Sequence, residues 1–160
     1  MVLDPLGGAY GGQTSGEADQ FAESTVRHVT DVLLATDADW LFDEIDAALG
    51  ASFDVHQVRQ GADVAAACEQ IEPALVILDL QIGNMGGMAV SMLLTQEIRA
   101  GRLEPTKILM LLDREHDAWL ARQAESDGWL VKPLDSFRVR RAATTVLEGG
   151  TVEEGPVAAG

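Results

Sequence analysis

The sequence predicts an α/β protein with a doubly wound, five-stranded parallel sheet, and three observations lead to this fold class. Short apolar runs alternate with segments of helical periodicity, which is the order of βα units in a parallel sheet. Three of these runs are nearly unbroken, as strands covered on both faces should be, and they lie at 31–36, 74–80 and 107–113. Five βα units form an open sheet, whereas a closed barrel needs eight.

The first two units come before residue 72. "DVLLAT" (31–36) is the first predicted strand, and "WLFDEIDAALG" (40–50) is a helix that Gly50 ends. Trp40 either begins the core face of this helix, which we favour, or shields the site described below. "FDVHQVR" (53–59) alternates like a strand, and "GADVAAACEQI" (61–71) is a helix in which Cys68 is expected to be a small buried residue.

Three further units complete the predicted domain. The third is the strand "ALVILDL" (74–80) with a helix over 88–101 that ends at Gly101. The fourth is the strand "KILMLLD" (107–113) with a helix over 118–128. The fifth is the short strand "WLVK" (129–132) with a helix over 136–149, for which Ser136 is the predicted N-cap.

Segments without periodicity flank this domain. Residues 1–27 are acidic and Gly-rich, and residues 148–160 ("EGGTVEEGPVAAG") resemble them in composition, so both are predicted to be flexible tails. The central block between these tails, residues 28–147, is predicted to be a single domain. We expect no attached DNA-binding output domain.

Composition narrows the classes of function. Lys and Arg together number 11 and Asp and Glu 26, for a formal net charge of −15. Such acidity disfavours nucleic acid as a partner, because phosphate contacts need clustered basic residues. No apolar run reaches the ~20 residues of a membrane span, and no signal peptide is visible. A single cysteine excludes a disulfide framework. The expected location is the cytoplasm, with no direct membrane insertion.

Charged residues follow the predicted strands where a parallel sheet places its functional sites, at the carboxyl ends. "TDAD" (36–39) follows the first strand, and Asp79 ends the third. Asp113 follows the fourth, and Lys132 with Pro133 follows the fifth. Two carboxylates and an ammonium group are therefore expected to meet at one edge of the sheet.

These motifs resemble the receiver domain of two-component response regulators, the CheY-like family, over residues 31–147. "LLATDAD" resembles the segment that carries the family's paired acids. Asp79 with the following "LQIGNMGG" resembles the segment of the family's phospho-acceptor aspartate. "SDGWLVKP" resembles the segment in which the family has its Lys-Pro pair. The resemblance implies the flavodoxin-like receiver fold in a stand-alone signalling protein of a bacterial phosphorelay.

The resemblance also implies roles for individual residues. Asp79 is the expected phospho-acceptor, and Lys132 its ammonium partner. The expected Mg²⁺ ligands are Asp37, Asp79 and the backbone carbonyl of Gln81, and Lys132-Pro133 is expected to be a cis peptide. The expected phosphodonor is a histidine kinase or a phosphotransfer protein. We expect no independent metabolic activity beyond self-catalysed phosphoryl transfer to Asp79 and its hydrolysis.

Four positions depart from the family pattern. Thr36 replaces the first of the paired acids, which should weaken Mg²⁺ binding. Leu112 occupies the switch position that carries a hydroxyl in the family, and its expected aromatic partner is Trp129, which favours fixed packing over movement. Asp113 follows Leu112 and could repel phosphate, and Gly83 replaces a proline and should loosen its loop.

Output is expected to run through protein contacts. The resemblance points to the face formed by the fourth helix, fifth strand and fifth helix, where a target or a second copy of the chain could dock. The basic residues expected there either pair with local acids or form a partner surface, and they are Arg114, Arg122, Arg138, Arg140 and Arg141. The tails are expected to add to such contacts.

One alternative function stays open at this point. The departures would also suit a pseudo-receiver that serves as a docking or accessory subunit of a larger complex, with vestigial phosphorylation. Stand-alone receivers of this type include ones associated with respiratory NADH dehydrogenase, which would place the chain at the periphery of a membrane complex. A flavin-binding function is disfavoured, because "TDADW" lacks the Ser/Thr/Gly cradle that a phosphate needs.

Overall fold

A computed structural model describes residues 29–155, which form one parallel β-sheet with helices packed on both of its faces. The strands are β1 (Thr30–Ala35), β2 (Phe53–Val58), β3 (Leu75–Asp79), β4 (Lys107–Leu112), β5 (Gly128–Val131) and β6 (Val152–Glu154). The helices are α1 (Asp39–Leu49), α2 (Val64–Ile71), α3 (Gly87–Arg99), α4 (Ala118–Gln123) and α5 (Ser136–Leu147). All strand pairs are parallel, in the order β2-β1-β3-β4-β5-β6.

The sheet is covered on both faces, which explains the unbroken apolar strands. Leu75 and Ile77 of β3 pack into a core shared with α1 and α5. Val76 and Leu78, which point the other way, pack into a second core shared with α2, α3 and α4. Alternate side chains of a strand point to opposite faces, so a strand buried on both faces must be apolar throughout. The predicted doubly wound fold is confirmed.

The sheet has six strands, one more than predicted. Val152–Glu154 was expected to belong to a flexible tail, but it follows α5 and pairs in parallel with β5. Three residues with two glutamates carry little strand signal of their own. Pairing with the edge of β5 and burial of Val152 supply the stabilisation that composition does not reveal. The predicted tail at 1–27 lies outside the described residues, as do residues 156–160.

Several local predictions differ from the structure. The N-cap of α5 is Asp135 and not Ser136, since the Asp135 carboxylate accepts a 2.8 Å hydrogen bond from the Arg138 backbone N–H. Helix α4 ends at Gln123, five residues earlier than predicted, and Glu125 follows in a left-handed conformation. Trp40 is 62% exposed, so the favoured core role of its side chain is wrong, whereas the next residue, Leu41, is fully buried.

Two further expectations can be compared with the fold. Cys68 is buried, and this burial raises the pKa of its thiol to about 11, consistent with a packing role. Within residues 29–155, no helix combines the length and the apolar character that crossing a membrane requires.

Candidate functional site

Asp79 ends β3, is 4% exposed, and is hydrogen-bonded through both of its carboxylate oxygens. Oδ1 accepts from Lys132 Nζ at 2.8 Å and from the Gln81 backbone N–H at 3.2 Å. Oδ2 accepts from the Thr36 hydroxyl at 2.8 Å. A buried carboxylate is costly unless it is paired and hydrogen-bonded, and these three donors meet that requirement. The sequence-based pairing of Asp79 with Lys132 is therefore observed in the structure.

Thr36 is fully buried and takes part in the site through its hydroxyl. It donates to Asp79 and at the same time accepts a 3.1 Å hydrogen bond from the Ala38 backbone N–H. The sequence predicts Thr36 only as the position at which the first of the paired acids is absent. The signal that could have found its role is the hydroxyl itself, which can donate to a facing carboxylate where a second carboxylate would repel it.

Lys132 follows β5 and lies between two carboxylates. Its Nζ is 2.8 Å from Asp79 Oδ1 and 3.2 Å from Asp113 Oδ1. Burial alone would lower the pKa of this ammonium, but hydrogen bonds and charge attraction to Asp79 and Asp113 outweigh burial and raise the pKa above its usual value. The Lys132-Pro133 peptide bond is cis, as predicted.

The expected metal ligands lie in the same region. Asp37 directly follows Thr36, is exposed, and its Oδ2 reaches toward Gly83, in the loop after Asp79. The backbone N–H of Gln81 donates to Asp79 Oδ1, so Gln81 lies next to this carboxylate. Carboxylate and carbonyl oxygens are the ligands that Mg²⁺ prefers. The site has three carboxylates, those of Asp37, Asp79 and Asp113, and one ammonium group, that of Lys132, so its net charge is negative. The oxygen ligands and the negative charge both suit a divalent cation.

The loop after Asp79 is fixed to the neighbouring βα connection despite Gly83. Gly61 N–H donates to the Gly83 carbonyl at 3.0 Å, and Ala62 N–H to the Asn84 carbonyl at 2.8 Å. Gly61 has to be a glycine, because a Cβ there would lie 1.9 Å from the Met85 carbonyl oxygen. These bonds tie down the segment that the sequence predicted to be loose.

The two switch positions, Leu112 and Trp129, lie in the core. Leu112 is fully buried and Trp129 is 6% exposed, and both belong to the core cluster shared with α2, α3 and α4. The Arg122 guanidinium covers the Trp129 ring, 4.8 Å from its centroid. The end of β4 therefore offers a packed apolar contact where the family pattern has a hydroxyl.

The five arginines predicted as a partner face have local contacts within the described residues. Arg122, Arg138 and Arg141 all contact glutamates of β6. Arg114 lies 3.4 Å from Asp117, and Arg140 donates to the Ala48 carbonyl at the end of α1. Pairing with acids of the same chain thus accounts for most of them.

A separate cluster, which the sequence analysis missed, lies at the opposite, amino edge of the sheet. His56 Nε2 is 3.0 Å from Asp31 Oδ1 and 3.6 Å from Asp54 Oδ2. Within the described residues, these three form the group of metal-ligand side chains whose atoms lie close enough to share a cation. The sequence signal is the spacing of Asp54 and His56, which places both on one face of β2.

Comparisons with known proteins address the identity of this arrangement. No protein-family model matches the chain. The chain is 30% identical over 98 residues to protein PilH of Pseudomonas aeruginosa, covering 59% of this chain and 79% of PilH. It is 27% identical over 96 residues to the transcriptional regulatory protein LnrK of Bacillus subtilis, of which it spans only 41%.

Solved structures share the fold. The chemotaxis response regulator CheY4 of Vibrio cholerae superposes with a TM-score of 0.65 at 20% identity, over 74% of this chain and 98% of CheY4. A LuxR-family two-component response regulator from Aurantimonas sp. superposes with a TM-score of 0.68 at 17% identity, over 78% of this chain and 89% of that one. The chain, with its acidic residue at the end of β3 and its Lys-Pro after β5, belongs to the response-regulator receiver family.

Proposed function

We propose that the chain accepts a phosphoryl group on Asp79 and signals through protein contacts that sense this change. The observation that carries the proposal is the Asp79 carboxylate itself, which ends β3 with a lysine ammonium 2.8 Å from one oxygen. Asp79 is a buried carboxylate at the carboxyl ends of parallel strands, where the functional sites of such sheets lie. This placement favours a role in a reaction over the role of an ordinary surface acid.

The chemistry needs a nucleophile and charge compensation. An Asp79 oxygen attacks the phosphorus of a phosphohistidine, the P–N bond breaks, and an acyl phosphate forms while the departing imidazole takes up a proton. Lys132, freed from part of its contact with the reacting carboxylate, would hold a phosphoryl oxygen. Phosphoryl transfer depends mainly on such positioning and charge stabilisation.

Asp37, Asp79 and the Gln81 carbonyl are the proposed ligands of Mg²⁺. When bound, this ion would neutralise charge on the transferring phosphoryl group. Asp37 is exposed and free to turn toward a cation, whereas Thr36 supplies a hydroxyl and not a carboxylate. With one acid fewer, we expect the site to bind Mg²⁺ more weakly than a site with paired acids would.

The output proposed here differs from movement of the switch residues. Leu112 has no hydroxyl to follow the phosphoryl group, and Trp129 is already buried against its neighbours. A phosphoryl group on Asp79 would instead change the charge and shape of the carboxyl edge itself. The proposed readers are a protein target and, as donor, a histidine kinase or phosphotransfer protein.

The direct test is incubation with Mg²⁺ and acetyl phosphate, followed by intact mass measurement. A gain of about 80 Da in the wild type, absent in Asp79→Asn and absent without Mg²⁺, is the expected result. Asp113→Asn is the matched control, because it removes the other carboxylate that contacts Lys132 and leaves the nucleophile in place. A mass gain that persists in Asp79→Asn, or no gain in the wild type, would overturn the proposal.

The accessory-subunit alternative has less in its favour. LnrK is named a transcriptional regulatory protein and the two solved structures are named response regulators, which favours a signalling function.

A further inference from the structure

The β5 edge is built to receive another backbone. Gly128 at the start of β5 lies opposite Val152, and a Cβ on Gly128 would lie 2.6 Å from the Val152 carbonyl oxygen and 3.0 Å from its nitrogen. A glycine at this position thus leaves the space that β6 fills. Strand edges of this kind are templates for pairing with any extended segment that fits.

Arginines lie beside this edge of the sheet and form ion pairs with acidic side chains of the added strand. Trp129 and Leu130 lie opposite Glu153 and Glu154. Arg138 Nε lies 3.3 Å from Glu154 Oε2, and Arg141 contacts the other oxygen of the same carboxylate. Two guanidinium groups on one carboxylate form a specific recognition site and not only a diffuse basic field.

Apart from its pairing with β5 and the contacts of Glu154 with Arg138 and Arg141, few interactions hold β6 on the domain. The strand has three residues, and Val152 is the one side chain it adds to the core. The contact of Arg122 with Glu153 is 3.9 Å between half-exposed groups, which solvent screens strongly. Gly149, in the left-handed conformation, and Gly150 connect β6 to α5. Segments with few buried contacts open locally without unfolding the domain.

We propose that the β5 edge is a docking site for an acidic, extended segment of a partner protein, and that β6 occupies it as a displaceable internal strand. The segment that fits has an apolar residue opposite Gly128 and acids in the next two positions, the pattern that β6 itself presents. Such a segment would add to the sheet in parallel with β5. The proposal does not depend on phosphorylation of Asp79.

Arg138 connects this docking site to the loop that carries Lys132. Its NH1 donates to the Pro133 carbonyl at 3.2 Å, and its other nitrogens contact Glu154 and the Gly155 carbonyl. Exchange of β6 for a partner strand would therefore replace contacts of a residue that also holds the Lys132-Pro133 connection.

The test uses the full chain and a fluorescein-labelled peptide with the sequence of residues 148–157. Glu154→Lys removes the carboxylate that Arg138 and Arg141 share and should release β6. We expect the peptide to bind this variant at least tenfold more tightly than the wild type, and to lose affinity as salt rises. Glu148→Lys is the matched control, with the same charge change just before β6 and outside the ion pairs of Glu153 and Glu154; it should bind like the wild type.

Two further measurements keep the result unambiguous. Hydrogen exchange at residues 152–154 should be faster in Glu154→Lys than in Glu148→Lys. Adding Gly128→Ala to Glu154→Lys should abolish peptide binding while the circular dichroism spectrum stays native. Unchanged exchange in Glu154→Lys, peptide binding no tighter than in the control, or binding that survives Gly128→Ala would each overturn the proposal, whatever the outcome at Asp79.

Discussion

The carboxyl ends of the neighbouring strands β3 and β4 carry opposite kinds of chemistry. β3 ends in a buried carboxylate with three hydrogen-bond donors, Asp79. β4 ends in Leu112, which is fully buried in an apolar cluster that includes Trp129. The two strands are adjacent and in register, with Asp79 opposite Leu111. One strand end is arranged for reaction, the other for packing.

This difference separates two tasks that a receiver combines. The groups proposed to accept a phosphoryl group form a connected hydrogen-bonded set around Asp79 and Lys132. The positions that would relay that event inward have become part of the core. Interiors are close-packed, so a buried Leu–Trp region has little room for a second arrangement. Variants at the two strand ends should therefore have separable effects.

The largest effect is expected from Lys132→Met. Asp79 and Lys132 are both largely buried, with side chains 5% and 16% exposed. Removing one partner of such a pair leaves a charge uncompensated and is expected to lower the free energy of unfolding by about 3–5 kcal/mol. Chemical denaturation at pH 7 measures this. The double variant Asp79→Asn with Lys132→Met should recover much of the loss, and a loss that is simply additive would contradict the pairing.

The same pair predicts a pH dependence. The pKa of Lys132 is raised in the folded state, so its contribution to stability is fully present below the usual lysine value of 10.5 and is lost as the pH rises through the higher folded-state value. The stability difference between the wild type and Lys132→Met should therefore be constant through neutral pH and shrink in alkaline solution. A difference that grew above pH 10.5 would be inconsistent with this sign.

A smaller loss is expected from Leu112→Ala, at the packed strand end. Truncating a fully buried leucine should cost about 2–5 kcal/mol, and we expect about 3. Unlike Lys132→Met, this variant should keep the rate of phosphoryl gain at Asp79 within about twofold, since Leu112 packs in the apolar core and has no polar group to offer the carboxylate. Time-resolved intact mass with acetyl phosphate measures the rate. A strong fall in that rate would show that the two strand ends are coupled.

The smallest effect is expected from Thr36→Val, which keeps the shape of the side chain and removes its hydroxyl. Asp79 Oδ2 and the Ala38 N–H then lose their partner, which should cost about 1–3 kcal/mol. Thr36→Ser is the control and should stay within about 1 kcal/mol of the wild type, because it keeps the donor. Equal losses in both variants would mean that packing of the methyl group, and not the hydrogen bond, matters.

Sequence reasoning predicted the site better than its surroundings. Asp79 and Lys132 were predictable because carboxyl strand ends meet at one edge of a parallel sheet, whatever the details of packing. The hydrogen bond of Thr36 was not predicted: its hydroxyl indicates a possible donor, but the carboxylate it faces depends on a rotamer that the sequence does not specify. The same holds for the exposure of Trp40, whose helical spacing is compatible with the core face and with its rim.

The sixth strand, β6, could not be predicted from sequence periodicity. "TVEEG" lacks the apolar alternation of a strand, and its pairing depends on Gly128 and on Arg138 and Arg141, which are distant in sequence. The sequence predicts that these arginines either pair with local acids or form a partner surface, but it does not say which acids they pair with. Their partners could be found only once the fold had brought α5 and the C-terminal residues together.

The central claim is that acceptance of a phosphoryl group at Asp79 leaves the switch positions in place. The direct measurement is the indole N–H resonance of Trp129, assigned by comparison with Trp129→Phe, in a sample whose intact mass shows a gain of about 80 Da. We predict that the mass increases while the chemical shift and solvent protection of this indole stay unchanged. A phosphorylated sample in which the Trp129 resonance moves or loses protection would contradict the account.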